Sequence, residues 1–185
     1  MKNIVKLLAL CFLAAGCAKE APDPVRDALG AYILAGREGT FRLERIEKID
    51  STTFRTEFER RQNVFDLKLR EETRLYNDYV RQGKPRNAAR HSDAILRTWE
   101  VMAGLDSLRA CLEARLDEIA YYDYVFSGRV DIGNTYSVFQ EAYASMTPAL
   151  EVITVSTDRK DLHKAGGRAI PGYVQMLKDD DPEQE

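Results

Sequence analysis

From Phe54 to Gln82 the chain carries neither glycine nor proline, and the tripeptide Gly83-Lys84-Pro85 then interrupts it. Such an uninterrupted stretch favours a long helix. Within it Phe58, Phe65, Leu69, Tyr76 and Tyr79 recur at spacings that sum threes and fours, and so line one stripe. A second helical pattern covers 87–116, with Ile95, Trp99, Met102, Leu105, Leu108 and Leu112 on its apolar stripe. Two long helices joined by so short a turn run antiparallel and bury their stripes on one another.

The segments on either side of this hairpin read differently. Asp23 before Pro24 starts a helix, because the Asp carboxylate caps free amides and proline at the first position gives up an unpartnered N–H. Val25, Leu29, Tyr32 and Ile33 follow at helical spacing, and Gly36 is the expected stop. Residues 40–50 alternate imperfectly, which predicts an edge-type strand with a bulge. Residues 119–131 alternate Ala120, Tyr122, Tyr124 and Phe126 on one face. Gly133-Asn134 is a turn signal, and strands over 136–146 and 150–157 complete a three-strand antiparallel meander. Glu141 and its neighbouring alanines also permit a helix over 137–144, and the sequence leaves both open. Short helices are predicted at 158–165, before Gly166-Gly167, and from Pro171 to Leu177. The acidic residues 179–185 read as a disordered tail. The sum is one α+β domain over 24–178: a long antiparallel helical hairpin with a small antiparallel sheet, three strands in a meander and a possible fourth at 40–50.

The first residues carry another kind of information. Lys2 and Lys6 precede an almost unbroken apolar run from Leu7 to Ala15. That run fits the roughly 7–15 residues of a secretory signal core and falls well short of the ~20 a spanning helix requires. The residues Leu13-Ala14-Ala15-Gly16-Cys17 resemble the lipobox of bacterial lipoprotein precursors. Ala14 stands where that motif usually has leucine, with Leu13 one step earlier. The resemblance implies a signal peptide over 1–16, diacylglycerol on Cys17, a tether over 17–23 and a lipid anchor in the cell envelope. Ala18, in place of aspartate, implies the outer membrane in preference to the inner. Ala14 and Gly16 also suit the ordinary secretory peptidase, which would leave Cys17 a free thiol.

Removing residues 1–16 takes away Lys2 and Lys6 and no acid, leaving 25 basic side chains against 30 acidic ones, a formal net of −5. A nucleic-acid partner is disfavoured, since such domains present a basic face with a basic excess. Cys11 lies in the signal segment and Cys17 is the lipid site, so Cys111 has no disulfide partner and its helical pattern predicts burial.

No constellation in the mature part carries chemistry. His91 and His163 are far apart and outside any His-Glu-x-x-His spacing, so no metal or cofactor is expected, and a surface position is expected for His91. Ser127, before Gly128 and Arg129, lacks a nucleophile-elbow context. Asp117-Glu118 is the carboxylate pair of interest for acid–base work. Six of the nine tyrosines lie from Tyr121 onward, and Tyr121-Tyr122-Asp123-Tyr124 places aromatics on both faces of one strand. One face packs on helices. The other is either covered by the Phe41 strand and the C-terminal segment or forms a contact surface with Tyr121, Tyr124 and, at its edge, Arg129. The function that follows is a membrane-anchored, non-enzymatic envelope lipoprotein that binds or scaffolds an envelope protein or other envelope component. A small-ligand carrier with a cavity between hairpin and sheet, and a carboxylate-dependent hydrolase, are the alternatives.

Overall fold

The computed structural model describes residues 23–179. The expected signal peptide, Cys17, most of the expected tether and residues 180–185 of the expected tail lie outside the described residues. The elements run α1 (Pro24–Leu34), β1 (Thr40–Thr53), α2 (Phe54–Arg81), α3 (Pro85–Cys111), β2 (Ile119–Ile132), β3 (Thr135–Met146), β4 (Val152–Ser156), α4 (Lys160–Ala165) and α5 (Tyr173–Asp179). The four strands form one antiparallel sheet in the order β1-β2-β3-β4, so the fold is mixed helix and sheet as the patterns predict. Residues 137–144 lie wholly within β3, which decides between the two readings of that segment.

Local chemistry accounts for the element boundaries. Asp23 Oδ1 accepts from the backbone N–H of Val25 at 3.0 Å and of Arg26 at 3.3 Å, capping α1 with Pro24 in its first turn. Thr53 ends β1 and at once caps α2 by accepting from Thr56 N–H. Gly83 (φ +67) takes the left-handed turn that reverses the chain between α2 and α3, and Gly133 (φ +56) does the same between β2 and β3. β1 carries register shifts at Leu43/Arg45, Lys48/Asp50 and Thr52/Thr53, the irregularity expected of an edge strand.

The helical hairpin stands in the connection between two neighbouring antiparallel strands. Its ends are pinned together by backbone bonds from Phe54 N–H to the Glu118 carbonyl (3.1 Å) and from Arg55 N–H to the Leu116 carbonyl (2.8 Å). Only the base of the hairpin meets the sheet, where Phe54, Phe58, Leu105, Leu112, Leu116 and Tyr121 share a core with Ile170 and Tyr173 of the C-terminal segment. The opposite face of the sheet is covered by α1, whose fully buried Leu29 packs with Phe126, Ala142, Ala144 and Met146. The C-terminal segment therefore covers the hairpin side, and the Phe41 strand extends the sheet edgewise, so α1 alone supplies the second layer that was expected of them.

Three further expectations are corrected. α3 ends at Cys111, and Leu112 to Leu116 turn through a short 3-10 segment instead of continuing the helix. Cys111 is exposed, because the last turn of α3 presents Leu108 and Leu112 to the core and leaves Cys111 on the outer side. Trp99 is 54% exposed. The seam of α3 runs Ala88, His91, Ile95, Thr98, Met102, Leu105, and Thr98 takes the inward place by returning its hydroxyl to the Ala94 carbonyl at 2.8 Å.

Burial sets the cost of substitution along α3. Leu105→Ala, at a site 1% exposed, is expected to cost about 2–5 kcal/mol in urea unfolding. Leu96→Ala, at a site 58% exposed, is expected to change stability by no more than about 0.5 kcal/mol. Equal losses at the two positions would contradict the assignment of the seam.

Candidate functional site

The sequence-predicted residues separate in the structure. Tyr121 is fully buried and cannot belong to a contact surface, since its side chain points from β2 into the hairpin core. Tyr124 points to the other face, packs half-buried against the α1 core and meets Tyr122 edge-on at 6.5 Å. Burial and then the neighbouring Tyr122 hydroxyl hold the Tyr124 phenol above its ordinary pKa. Arg129 is exposed at the far end of the sheet, paired with Asp131 at 2.5 Å and stacked over the Tyr136 ring at 4.2 Å. The predicted Tyr-Arg patch is thus split across two faces and two ends of the sheet.

The other candidates resolve into ordinary pairs. Asp117 is held by Arg55 (2.8 Å) and Glu118 by Arg115 (2.8 Å), so the two carboxylates are drawn to separate arginines. The Arg55 hydrogen bond and charge keep the Asp117 carboxyl below its usual range, the wrong direction for a general acid near neutrality. His91 is half-buried in the hairpin seam, stacked on Tyr79 at 5.2 Å with its Nδ1 2.6 Å from Glu72. The surface position expected for it is corrected by that stack. Among the described residues no group of three or more His, Cys, Asp and Glu side chains is placed to hold a metal ion.

What sequence reasoning missed is a buried polar network where α2, β2 and the C-terminal segment meet. Glu57, in the first turn of α2, is 0% exposed. Its Oε1 lies 2.7 Å from Arg61 Nε, and its Oε2 accepts from Arg60 Nη1 at 2.6 Å and from the Tyr121 hydroxyl at 2.8 Å. Arg60 also donates to the Tyr121 hydroxyl. Arg61, itself buried, donates to the carbonyls of His163 and Lys164 and so ties α2 to α4. Burial, and then the Glu57 charge, push the Tyr121 phenol up to about 12. Gly166 completes the packing: a Cβ there would fall 2.7 Å from the Tyr121 hydroxyl and 2.8 Å from Glu57 Oε1.

Two residues along β2, Asp123 is buried on the same face and accepts a hydrogen bond from Ser145 across the β2–β3 register. Burial raises its pKa, with the Ser145 bond opposing. Glu57 and Tyr121 are sealed from solvent; Glu57 Oε2 is hydrogen-bonded, whereas its Oε1 meets Arg61 Nε as an ion pair without hydrogen-bond geometry, and the network ties α2 to β2 and α4. The only sequence signal for it is Glu57 and Arg61 at i, i+4, which is indistinguishable from an exposed helix pair.

The open surfaces lie on the hairpin and near the C-terminus. A cleft of about 420 Å³ at the hairpin tip is lined by Tyr76, Val80, Pro85 and Ala88, and Leu96 and Trp99 are exposed further along α3. Comparison with protein-family models, with curated proteins and with solved structures finds no match in any of the three.

Asp123 gives a pH test of the network. Its folded pKa lies above the unfolded value near 3.9, so between the two the native state binds more protons and stability falls as pH rises through that window. Asp123→Asn keeps an acceptor for Ser145 and removes the buried charge. The variant is expected to unfold at higher urea than the parent at neutral pH, with the gain shrinking as pH is lowered towards about 4. A gain that stayed constant with pH would show that Asp123 does not titrate in this way.

Proposed function

We propose that this chain is an exported lipoprotein of the bacterial cell envelope, acylated at Cys17 and held in the outer membrane in preference to the inner. It works there as a non-enzymatic binding or scaffold protein for an envelope protein or another envelope component. The contact element is the outer part of the helical hairpin, in place of a surface built on Tyr121 and Tyr124.

One observation carries this reading. α3 runs about 40 Å at helical rise, its base alone is embedded in the core, and beyond that base Trp99 and Leu96 stand more than half exposed one turn apart. Trp is the residue whose burial contributes most at protein contacts, and an exposed Trp-Leu pair on a rigid helix presents a preformed anchor. On the N-terminal side, the signal core and Leu13-Ala14-Ala15-Gly16-Cys17 support export and acylation.

The two halves of the reading are tested separately. Globomycin is expected to block processing, and the mature N-terminus is expected to carry the mass of an acylated Cys17. An unmodified thiol there would refute the lipid. For the hairpin, a photocrosslinking residue at position 99 in cells is expected to give discrete adducts that Leu96→Asp abolishes, while the same probe at the exposed β1 position 44 gives none of them. Identical adduct patterns from 99 and 44 would remove the hairpin from the proposal.

A further inference from the structure

A second built surface lies at the opposite end of the chain. α4, the Gly166–Ala169 turn and α5 enclose a cleft of about 310 Å³ in which Lys164, Arg168 and Lys178 surround Tyr173, Val174 and Leu177. No acidic side chain among the described residues lines it, and the acidic run 179–185 follows Lys178 directly in sequence. Its floor is fixed by close packing: Tyr173 is buried, and Gly167 lies so near its ring that a Cβ would fall 2.5 Å from it. Val174 and Leu177, one turn apart on α5, are 43% and 37% exposed at the mouth.

Of the three cations at this mouth, one is paired with a carboxylate among the described residues. Arg60, Arg61, Arg74 and Arg81 on the hairpin all face carboxylates, and Lys164 is held by Asp161 at 2.7 Å. Arg168 and Lys178 have no acidic partner among the described residues. Two uncommitted cations beside two exposed aliphatic side chains match an amphiphile with an anionic head and an apolar body. A soluble anion would use the cations and leave Val174 and Leu177 without contact.

We propose that this cleft binds the headgroup of an anionic phospholipid, Arg168 and Lys178 taking the phosphate and Val174 and Leu177 meeting the apolar part below it. Guanidinium and ammonium groups suit phosphate oxygens, and the aliphatic pair enters the interfacial region of the bilayer. The contact is independent of any acyl chain on Cys17.

The test uses the chain from residue 18 onward, which contains the entire described fold and lacks the cysteine that an acyl group would occupy. Co-sedimentation is measured with vesicles of phosphatidylcholine alone and of equal parts phosphatidylcholine and phosphatidylglycerol. Binding is expected only to the mixed vesicles and is expected to weaken as salt is raised. Arg168→Gln and Lys178→Gln are each expected to lower it about five-fold. Arg90→Gln on the hairpin, far along the chain from the cleft, is expected to leave it unchanged. Val174→Ser with Leu177→Ser is expected to lower vesicle binding while both charges remain. Several outcomes would overturn the proposal. These are equal binding to both vesicle types, binding insensitive to Arg168 and Lys178, or shifts of the 164–178 amide resonances by inorganic phosphate with no vesicle binding. Vesicle binding that appears only after deletion of residues 180–185 would also overturn it, by making the chain's own acidic terminus the occupant. Each result is read on the unacylated chain, so failure here leaves the Cys17 assignment standing.

Discussion

A single buried carboxylate determines how the parts of this molecule sit together. Glu57 enters the core in the first turn of α2, yet it belongs equally to three elements, through Arg60 and Arg61 of its own helix, Tyr121 of β2 and, by way of Arg61, the carbonyls that end α4. A buried ion pair is a weak source of net stability, because desolvation of both ions offsets most of their attraction. Its geometric demand is the more important consequence. Each partner lost leaves a charge stranded in the core at a cost of about 3–5 kcal/mol, so alternative packings of hairpin on sheet are penalised. Phe58 and Leu105 alone would tolerate a helix sliding or rotating by part of a turn, and Arg61, set between Glu57 and the carbonyls of His163 and Lys164, would not.

That fixed base lets the rest of the hairpin stand away from the sheet. Beyond Phe65 and Met102 the two helices pack mainly on each other, and their ordering is maintained by a narrow seam and by surface pairs such as Arg74 with Glu71 and Asp78. Such exposed pairs contribute little each, so the stiffness of the arm comes from helix length and the seam, including the stacked Tyr79 and His91. A stiff arm with exposed Leu96 and Trp99 presents the same face each time it meets a partner, and little ordering entropy is lost on contact.

The elements were largely legible because their signals are local. Asp23-Pro24, Thr53 and Gly83 cap or turn the chain through their own side chains or their own freedom of φ, and the structure uses each where the sequence places it. What sequence could not reveal were choices made between elements. On α3 both Thr98 and Trp99 stand at helical spacing from Ile95, and only the fit of a small hydroxyl residue against α2 decides that Thr98 turns inward. On β2 alternation puts Tyr121 and Tyr124 on opposite faces, so the expected surface joining them does not form, and which face meets α1 and which meets the hairpin depends on the return of the N-terminal helix across the sheet. Glu57 and Arg61 carry no mark of burial, since the reason they are buried is Gly166, more than a hundred residues away, whose missing side chain leaves the room they occupy.

The two proposed surfaces also constrain how an anchored molecule would sit. α1 begins at Asp23 on the sheet face away from the hairpin base, whereas α4 and α5 lie on the hairpin side. Under the lipoprotein proposal residues 18–23 connect the acyl chain to α1, and at full extension six residues reach about 20 Å. With α1 on one face of the sheet and the hairpin base and α5 on the other, two layer spacings of roughly 10 Å separate the outer layers, so such a tether is comparable to that separation and does not by itself choose a face. The choice then falls to local chemistry. Residues 17–178 carry 25 basic and 25 acidic side chains, so the whole net of −5 lies in residues 179–185, and Arg168 with Lys178 is where cations unpaired among the described residues stand beside exposed aliphatic groups. Orientation by those two cations would set the hairpin at a fixed angle to the bilayer.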